Sequence, residues 1–186
     1  MAKTLPRIIA RDVVANTRLF KVEALGIEFG NGVTVDYERL VSTSAGAVLV
    51  VPMLDNDTVL LIREYNAGVH RYELALPKGR VESQEDYLEA ANREIQEEIG
   101  YAARSLEHLR SVSIAPGYLS HETQIILAQD LYESRLDGDE PEQIEVVPWR
   151  LSKINQLAES AEISEARSIA ALYLVRDKLQ ERQNVK

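Results

Sequence analysis

Arg93, Glu94, Glu97 and Glu98 fall within eight consecutive residues, Arg-Glu-Ile-Gln-Glu-Glu-Ile-Gly at 93–100. On a helix that turns about 100° per residue, the three glutamates cover roughly 100° of arc beside an apolar stripe of Leu88, Ala91, Ile95 and Ile99. Carboxylates on that margin are partly desolvated. Glu94 and Glu98 also form an i,i+4 like-charge pair, which costs a few tenths of a kcal/mol even at a surface. Arg93, four residues before Glu97, can neutralise or orient one carboxylate, and an excess of negative charge is left over. A divalent cation offsets that excess economically, and an all-oxygen donor set points to magnesium or manganese. A solvated acidic face would account for these eight residues equally well on their own, so the reading depends on the sequence around them.

The elements that position these residues are legible. Ser83 with Asp86 three places later has the spacing of a capping box, and the Ala, Glu and Gln content that follows favours a helix over 83–99, ended by Gly100. Two apolar runs separated by Asp55-Asn56-Asp57 predict buried strands joined by a short turn. Upstream, Asn31-Gly32 between alternating runs predicts a β-hairpin with a tight turn, and the first forty residues read as β-structure. Three short segments around 109–116, 123–131 and 144–151 are apolar and rich in β-branched residues, as strands are. Ile169, Leu172, Val175 and Leu179 then follow helical spacing and predict an amphipathic helix on the sheet. The fold class is α+β, a mixed sheet flanked by helices, with an N-terminal β-hairpin region over 1–45 and a main domain over 46–186.

Composition removes several classes of function. A chain of 186 residues with 45% apolar content suits one compact domain with a small appendage. A net charge of −9 argues against a nucleic-acid backbone or an anionic membrane as partner. With no cysteine there is no thiol catalysis or thiolate metal site, and His70, His108 and His121 lack zinc-like spacing. The start of the chain has neither the apolar stretch nor the cleavage site of a signal peptide, and no run of 18 apolar residues occurs, so a cytoplasmic protein is expected.

The longer stretch 79–101 settles which reading of the glutamates to take. Gly79 is followed after five residues by Glu85, after seven more by Arg93-Glu94, then Ile95, Glu97-Glu98, Gly100 and Tyr101. This resembles the box of the Nudix hydrolases, G-x5-E-x7-R-E-U-x-E-E-x-G-U with U bulky and apolar, and departs from it only in an aromatic Tyr101. The resemblance implies an α/β/α sandwich with the box as its loop–helix–loop. It implies that Glu94, Glu97 and Glu98 ligate Mg²⁺ or Mn²⁺, with the Gly79 carbonyl as a further ligand, and that Glu85 and Arg93 support the helix. The implied reaction is hydrolysis of a nucleoside diphosphate linked to another moiety, with Glu97 and Glu98 as catalytic residues. The chemistry is consistent: an acidic site repels pyrophosphate unless metal ions bridge the two.

Sequence outside the box is similar to the ADP-ribose pyrophosphatase branch. Pro116-Gly117 lies fifteen residues past the box and is followed by Glu122; Tyr118 leaves dinucleoside polyphosphates open. The same resemblance makes Arg63, Glu73 and Pro116 candidate substrate contacts, although Glu64 and Asn66 stand where the branch has Gln and Arg. It makes Glu142, in the acidic loop 137–142, the candidate general base, with Glu140 second. It implies a homodimer paired through the N-terminal strands. The expected activity is hydrolysis of ADP-linked small molecules, such as ADP-ribose, diadenosine triphosphate and NADH, with release of AMP. Two alternatives stand beside it: the same chemistry on another nucleotide sugar, or an ADP-ribose sensor without hydrolysis. The intact set of box acids and the absence of a basic helix-turn-helix weigh against the sensor.

Overall fold

The computed structural model describes residues 3–42 and 46–184, and the expected boundary at residue 45 falls outside them. The chain divides into two compact units.

The first unit comprises Met1–Gly46 with Ser113–Glu122. Strands β1 (Arg7–Asn16), β2 (Lys21–Glu28) and β3 (Thr34–Val41) form an antiparallel sheet in that order. The predicted hairpin joins β2 to β3, but its turn is one residue longer than an Asn-Gly pair. Gly32 N donates to Phe29 O and Phe29 N to Val33 O, both at 2.9 Å, which leaves Gly30, Asn31 and Gly32 as a three-residue loop. Only Gly32 takes a positive φ, +82°, as the bulge of such loops requires. Thr17 closes the turn between β1 and β2 by accepting from Phe20 N at 2.9 Å. The 113–122 segment joins the unit through Leu40, which donates to Tyr118 O and accepts from Ser120 N.

The second unit comprises Ala47–Val112 and Thr123–Lys186. Its four-stranded sheet has the order β7-β4-β9-β8, where β4 is Ala47–Pro52, β7 Lys78–Arg80, β8 Tyr101–Ser113 and β9 Glu122–Glu133. The sheet is mixed, because β4 runs parallel to β9 and antiparallel to β7. β5 (Thr58–Asn66), β6 (Arg71–Ala75) and β10 (Glu145–Arg150) make a second, antiparallel sheet in the order β10-β5-β6. The turn at Asp55-Asn56-Asp57 forms as predicted, with Asp55 Oδ1 accepting from Asp57 N and Thr58 N, yet the strands it joins continue into different sheets.

Every residue of β4 is buried, so the strand reads as an unbroken apolar run. Its two faces enter different cores. Leu49 and Val51 pack with Leu61, Ile125 and Leu127, and with Leu172 and Val175 of α3 (Ala166–Asn184). Val48 and Val50 pack with Ile62 and Ile126, and with Ala91, Ile95 and Ile99 at helix α1 (Tyr87–Glu98). A sheet covered by α1 on one face and α3 on the other is the expected sandwich. The short helix α2 (Ile154–Ala158) adds Ile154 and Leu157 to the α3 side. Among the described residues no helix is long and apolar enough to cross a membrane.

Candidate active site

Helix α1 begins three residues later than a Ser83 cap would allow. Asp86 is the N-cap: its Oδ1 accepts from Leu88 N at 2.8 Å and Glu89 N at 2.9 Å, while Glu89 Oε2 accepts from Asp86 N at 3.1 Å. The capping box is therefore real and displaced by three positions, and Gln84 before it takes φ +73°. Gly100 ends the helix at φ +75°, a left-handed position suited to glycine. Leu88 is 36% exposed and leaves the apolar stripe to Ala91, Ile95 and Ile99. This rotates the buried face toward the acids, so that Glu94 and Glu98 are themselves buried.

Arg93 organises one side of these acids. It donates through Nε to Glu85 Oε1 at 2.9 Å and through one terminal nitrogen to Arg80 O at 2.9 Å. Its other terminal nitrogen lies 2.9 Å from both Glu94 Oε1 and Glu97 Oε2. The hydrogen bond from Arg93 holds the Glu85 carboxyl below its ordinary range, and Glu85 holds the Arg93 guanidinium above its own. Gly79 faces the same group from β7: a Cβ there would overlap the Glu94 carboxyl. The Glu94 carboxyl can occupy this position only because residue 79 has no side chain.

Glu98 accepts from Lys78 N at 3.0 Å. Burial pushes its carboxyl well above the ordinary range, against the pull of Lys78 and with a further push from Glu94 and Glu64. Burial also raises Glu94, although Arg93 opposes it. Buried carboxylates that lack full compensation are what a hard divalent cation satisfies, so the donor set fits such an ion. Among the described residues no three acids surround a common point; Glu94 and Glu97 share Arg93, and Glu98 accepts from Lys78 N.

The other predicted residues fall into separate clusters. Arg63 donates to Glu145 Oε2 and Glu162 Oε2, both at 2.9 Å. Glu73 is buried, pairs with Arg71 and accepts from Ser164 Oγ at 2.8 Å. Both therefore contact the 162–164 segment ahead of α3 and neither contacts the α1 acids. Glu142 accepts from Tyr72 Oη at 2.6 Å. Glu140 is the member of that loop with Glu64 and Lys78 in electrostatic reach; partial burial, then Glu64, raises its carboxyl. The loop is tied to the end of α1, where Leu136 N donates to Gln96 O and Gly138 packs beside Glu97. Pro116 is exposed in the first unit, in a turn where Ala115 O accepts from Tyr118 N and Leu119 N.

Two site residues escaped the sequence reading of roles. Glu64 of β5 and Lys78 of β7 form an ion pair within the second unit, each side chain less than one-fifth exposed. The available signal was the departure at Glu64 from a usual Gln together with a lysine immediately before Gly79.

Comparison with known proteins gives a consistent picture. The NUDIX domain model matches residues 43–173, and a model described as the NudE-type Nudix hydrolase N-terminal domain matches residues 6–39. The chain is 45% identical to the ADP compounds hydrolase NudE of Escherichia coli over 95% of this chain and 96% of that protein. It is 26% identical to an ADP-ribose pyrophosphatase of Bacillus subtilis over 89% of this chain and 90% of that one. A crystal structure of ADP compounds hydrolase superposes with a TM-score of 0.90 at 43% identity, covering 98% of each chain.

Proposed function

The chain belongs to the Nudix family, and we propose that it is a divalent-metal-dependent pyrophosphohydrolase of ADP-linked compounds that releases AMP. The observation that carries this reading is the buried pair Glu94 and Glu98, faced by a glycine whose missing side chain leaves Glu94 its place. Similarity to the E. coli ADP compounds hydrolase over nearly the full chain supports the substrate class. Glu94, Glu97 and Glu98, with the Gly79 carbonyl, would hold Mg²⁺ or Mn²⁺, and the ion when bound supplies charge for the pyrophosphate oxygens and activates a water.

The residues of the chain do the rest. Arg93, fixed by Glu85 and Arg80 O, orients Glu94 and Glu97 on one side of α1. Glu142 is the proposed general base and Glu140 the second candidate, since both lie on the loop tied to the end of α1. Arg63, Glu73 and Pro116 are proposed substrate contacts. For Arg63 and Glu73 the supporting feature is charge held on the paired strands β5 and β6, already oriented by Glu162 and Ser164. A homodimer is proposed on the exposed apolar residues of β1, and a cytoplasmic location on the nature of the substrates.

The test is a panel of ADP-ribose, diadenosine triphosphate, NADH, ADP-sugars and deoxynucleoside triphosphates with Mg²⁺ or Mn²⁺. AMP from several ADP compounds is expected. Turnover confined to another nucleotide sugar, or binding of ADP-ribose without turnover, would replace this reading.

A further inference from the structure

Lys78 has no assigned part in the reaction, yet it sits among the acids of the site. It lies in β7 immediately before Gly79, and its side chain is only 18% exposed. Its ammonium pairs with Glu64 of β5, and its own backbone N–H donates to Glu98 Oε2 at 3.0 Å. One residue therefore ties a β5 acid to a buried α1 acid, through the side chain on one hand and the main chain on the other. Glu140 adds a further carboxyl within electrostatic reach of both Glu64 and Lys78.

A poorly solvated ammonium that faces a carboxylate offsets part of the desolvation of both groups. Here it does so beside residues proposed to bind divalent ions, where a fixed positive charge has two effects. It screens the carboxylates from one another, and it repels any ion that enters.

We propose that the Lys78 ammonium is a tethered cation of the active site, which neutralises Glu64, keeps the carboxylates assembled without metal and weakens the binding of divalent ions. The inference rests on Glu94, Glu97 and Glu98 being the metal donors. It predicts that Lys78 and Glu64 act as a unit, since removing either one leaves the other uncompensated next to Glu98.

The experiment uses Mn²⁺ alone as probe, with free ion measured by electron paramagnetic resonance against metal-free protein, for wild type, K78M, K78R, E64Q and the K78M/E64Q double variant. K78M exposes the charge of Glu64 and should bind Mn²⁺ about fivefold tighter or more. K78R should stay near wild type, and the double variant should return toward it. E64Q frees the ammonium for Glu98 and should bind Mn²⁺ about fivefold more weakly or worse. Thermal melts provide a second readout: metal-free K78M should melt below wild type and gain more from Mn²⁺.

Unchanged or weaker binding by K78M, or K78R behaving like K78M, overturns the proposal. If metal-free K78M does not fold, E64Q carries the test, and unchanged Mn²⁺ binding by E64Q overturns it equally. Wild-type protein that binds no Mn²⁺ overturns the metal-site reading along with this one, whereas normal wild-type binding with an indifferent K78M overturns this one alone.

Discussion

At Glu98 burial and charge pull in opposite directions. Glu98 is 5% exposed and accepts one backbone hydrogen bond from Lys78, and burial pushes its carboxyl well above the usual range for its type. Glu94 is raised by the same cause. A carboxyl whose folded pKa lies above its unfolded value stabilises the fold while protonated, and that contribution is lost as pH rises through the folded pKa. The acids held low, such as Glu85 and Glu23, are ionised in both states above about pH 5 and contribute no slope there. The metal-free protein should therefore melt at progressively lower temperature as pH rises above about 5, and the gain on adding Mg²⁺ should grow in the same direction. Melting curves with and without metal check this, and a flat metal-free profile would remove the buried-carboxylate account.

Substitution at single residues separates chemistry from folding. Glu98→Gln should lower turnover of ADP-ribose by about 100-fold or more, as loss of one electrostatic contributor does, with a smaller effect on the melting temperature. Normal turnover by that variant would sink the metal-site reading. Glu142→Gln, with Glu140→Gln as control, addresses the base: a loss of about a hundredfold with Mn²⁺ affinity intact marks the residue that takes the proton. Unchanged turnover in both would move that role to the box glutamates.

At the scale of the element, α1 depends on its ends. The Asp86–Glu89 capping box satisfies three backbone donors, so Asp86→Ala should cost about 1 kcal/mol, measurable by urea unfolding. Gly79→Ala is of a different kind. Its methyl group would overlap the Glu94 carboxyl, so the variant should lose Mn²⁺ affinity more than stability. A Gly79→Ala protein with wild-type Mn²⁺ binding would show that Glu94 can hold the ion from another position. The sequence located this helix well because amphipathic spacing and the terminal glycine are local signals. It misjudged the start because Ser83 and Asp86 both look like caps, and only the backbone path, with Gln84 at positive φ, decides between them.

At the scale of the whole molecule, β1 is exposed along all ten residues, with Ile8, Ile9, Val13 and Val14 each about half exposed. A strand that leaves apolar side chains uncovered on both faces is an association surface or an aggregation hazard. The homodimer proposal assigns it to a second copy. Light scattering should then give twice 20.9 kDa, and Val13→Lys with Val14→Lys should shift the protein toward monomer. A wild-type monomer would end that proposal.

How far the sequence alone could go follows from which interactions are local. The box spacing, the clustering of Glu94 and Glu98 on one helix, the α+β class and the positions of β4, β9, α1 and α3 are carried by periodicity and by residue types close together in the chain. Sheet membership was not, since β4 and β5 adjoin in sequence and separate into different sheets through pairings with β9 and β10. The same holds for the site. Arg63 and Glu73 stand out in the sequence as charged strand residues, but their partners Glu162 and Ser164 lie 99 and 91 residues away, and Glu64, Lys78 and Glu98 likewise come together only in the fold. Tertiary structure alone decides these contacts, because charges from residues 64, 78 and 98 meet only when two strands and a helix close a desolvated space around them, and that desolvation gives the meeting its energy.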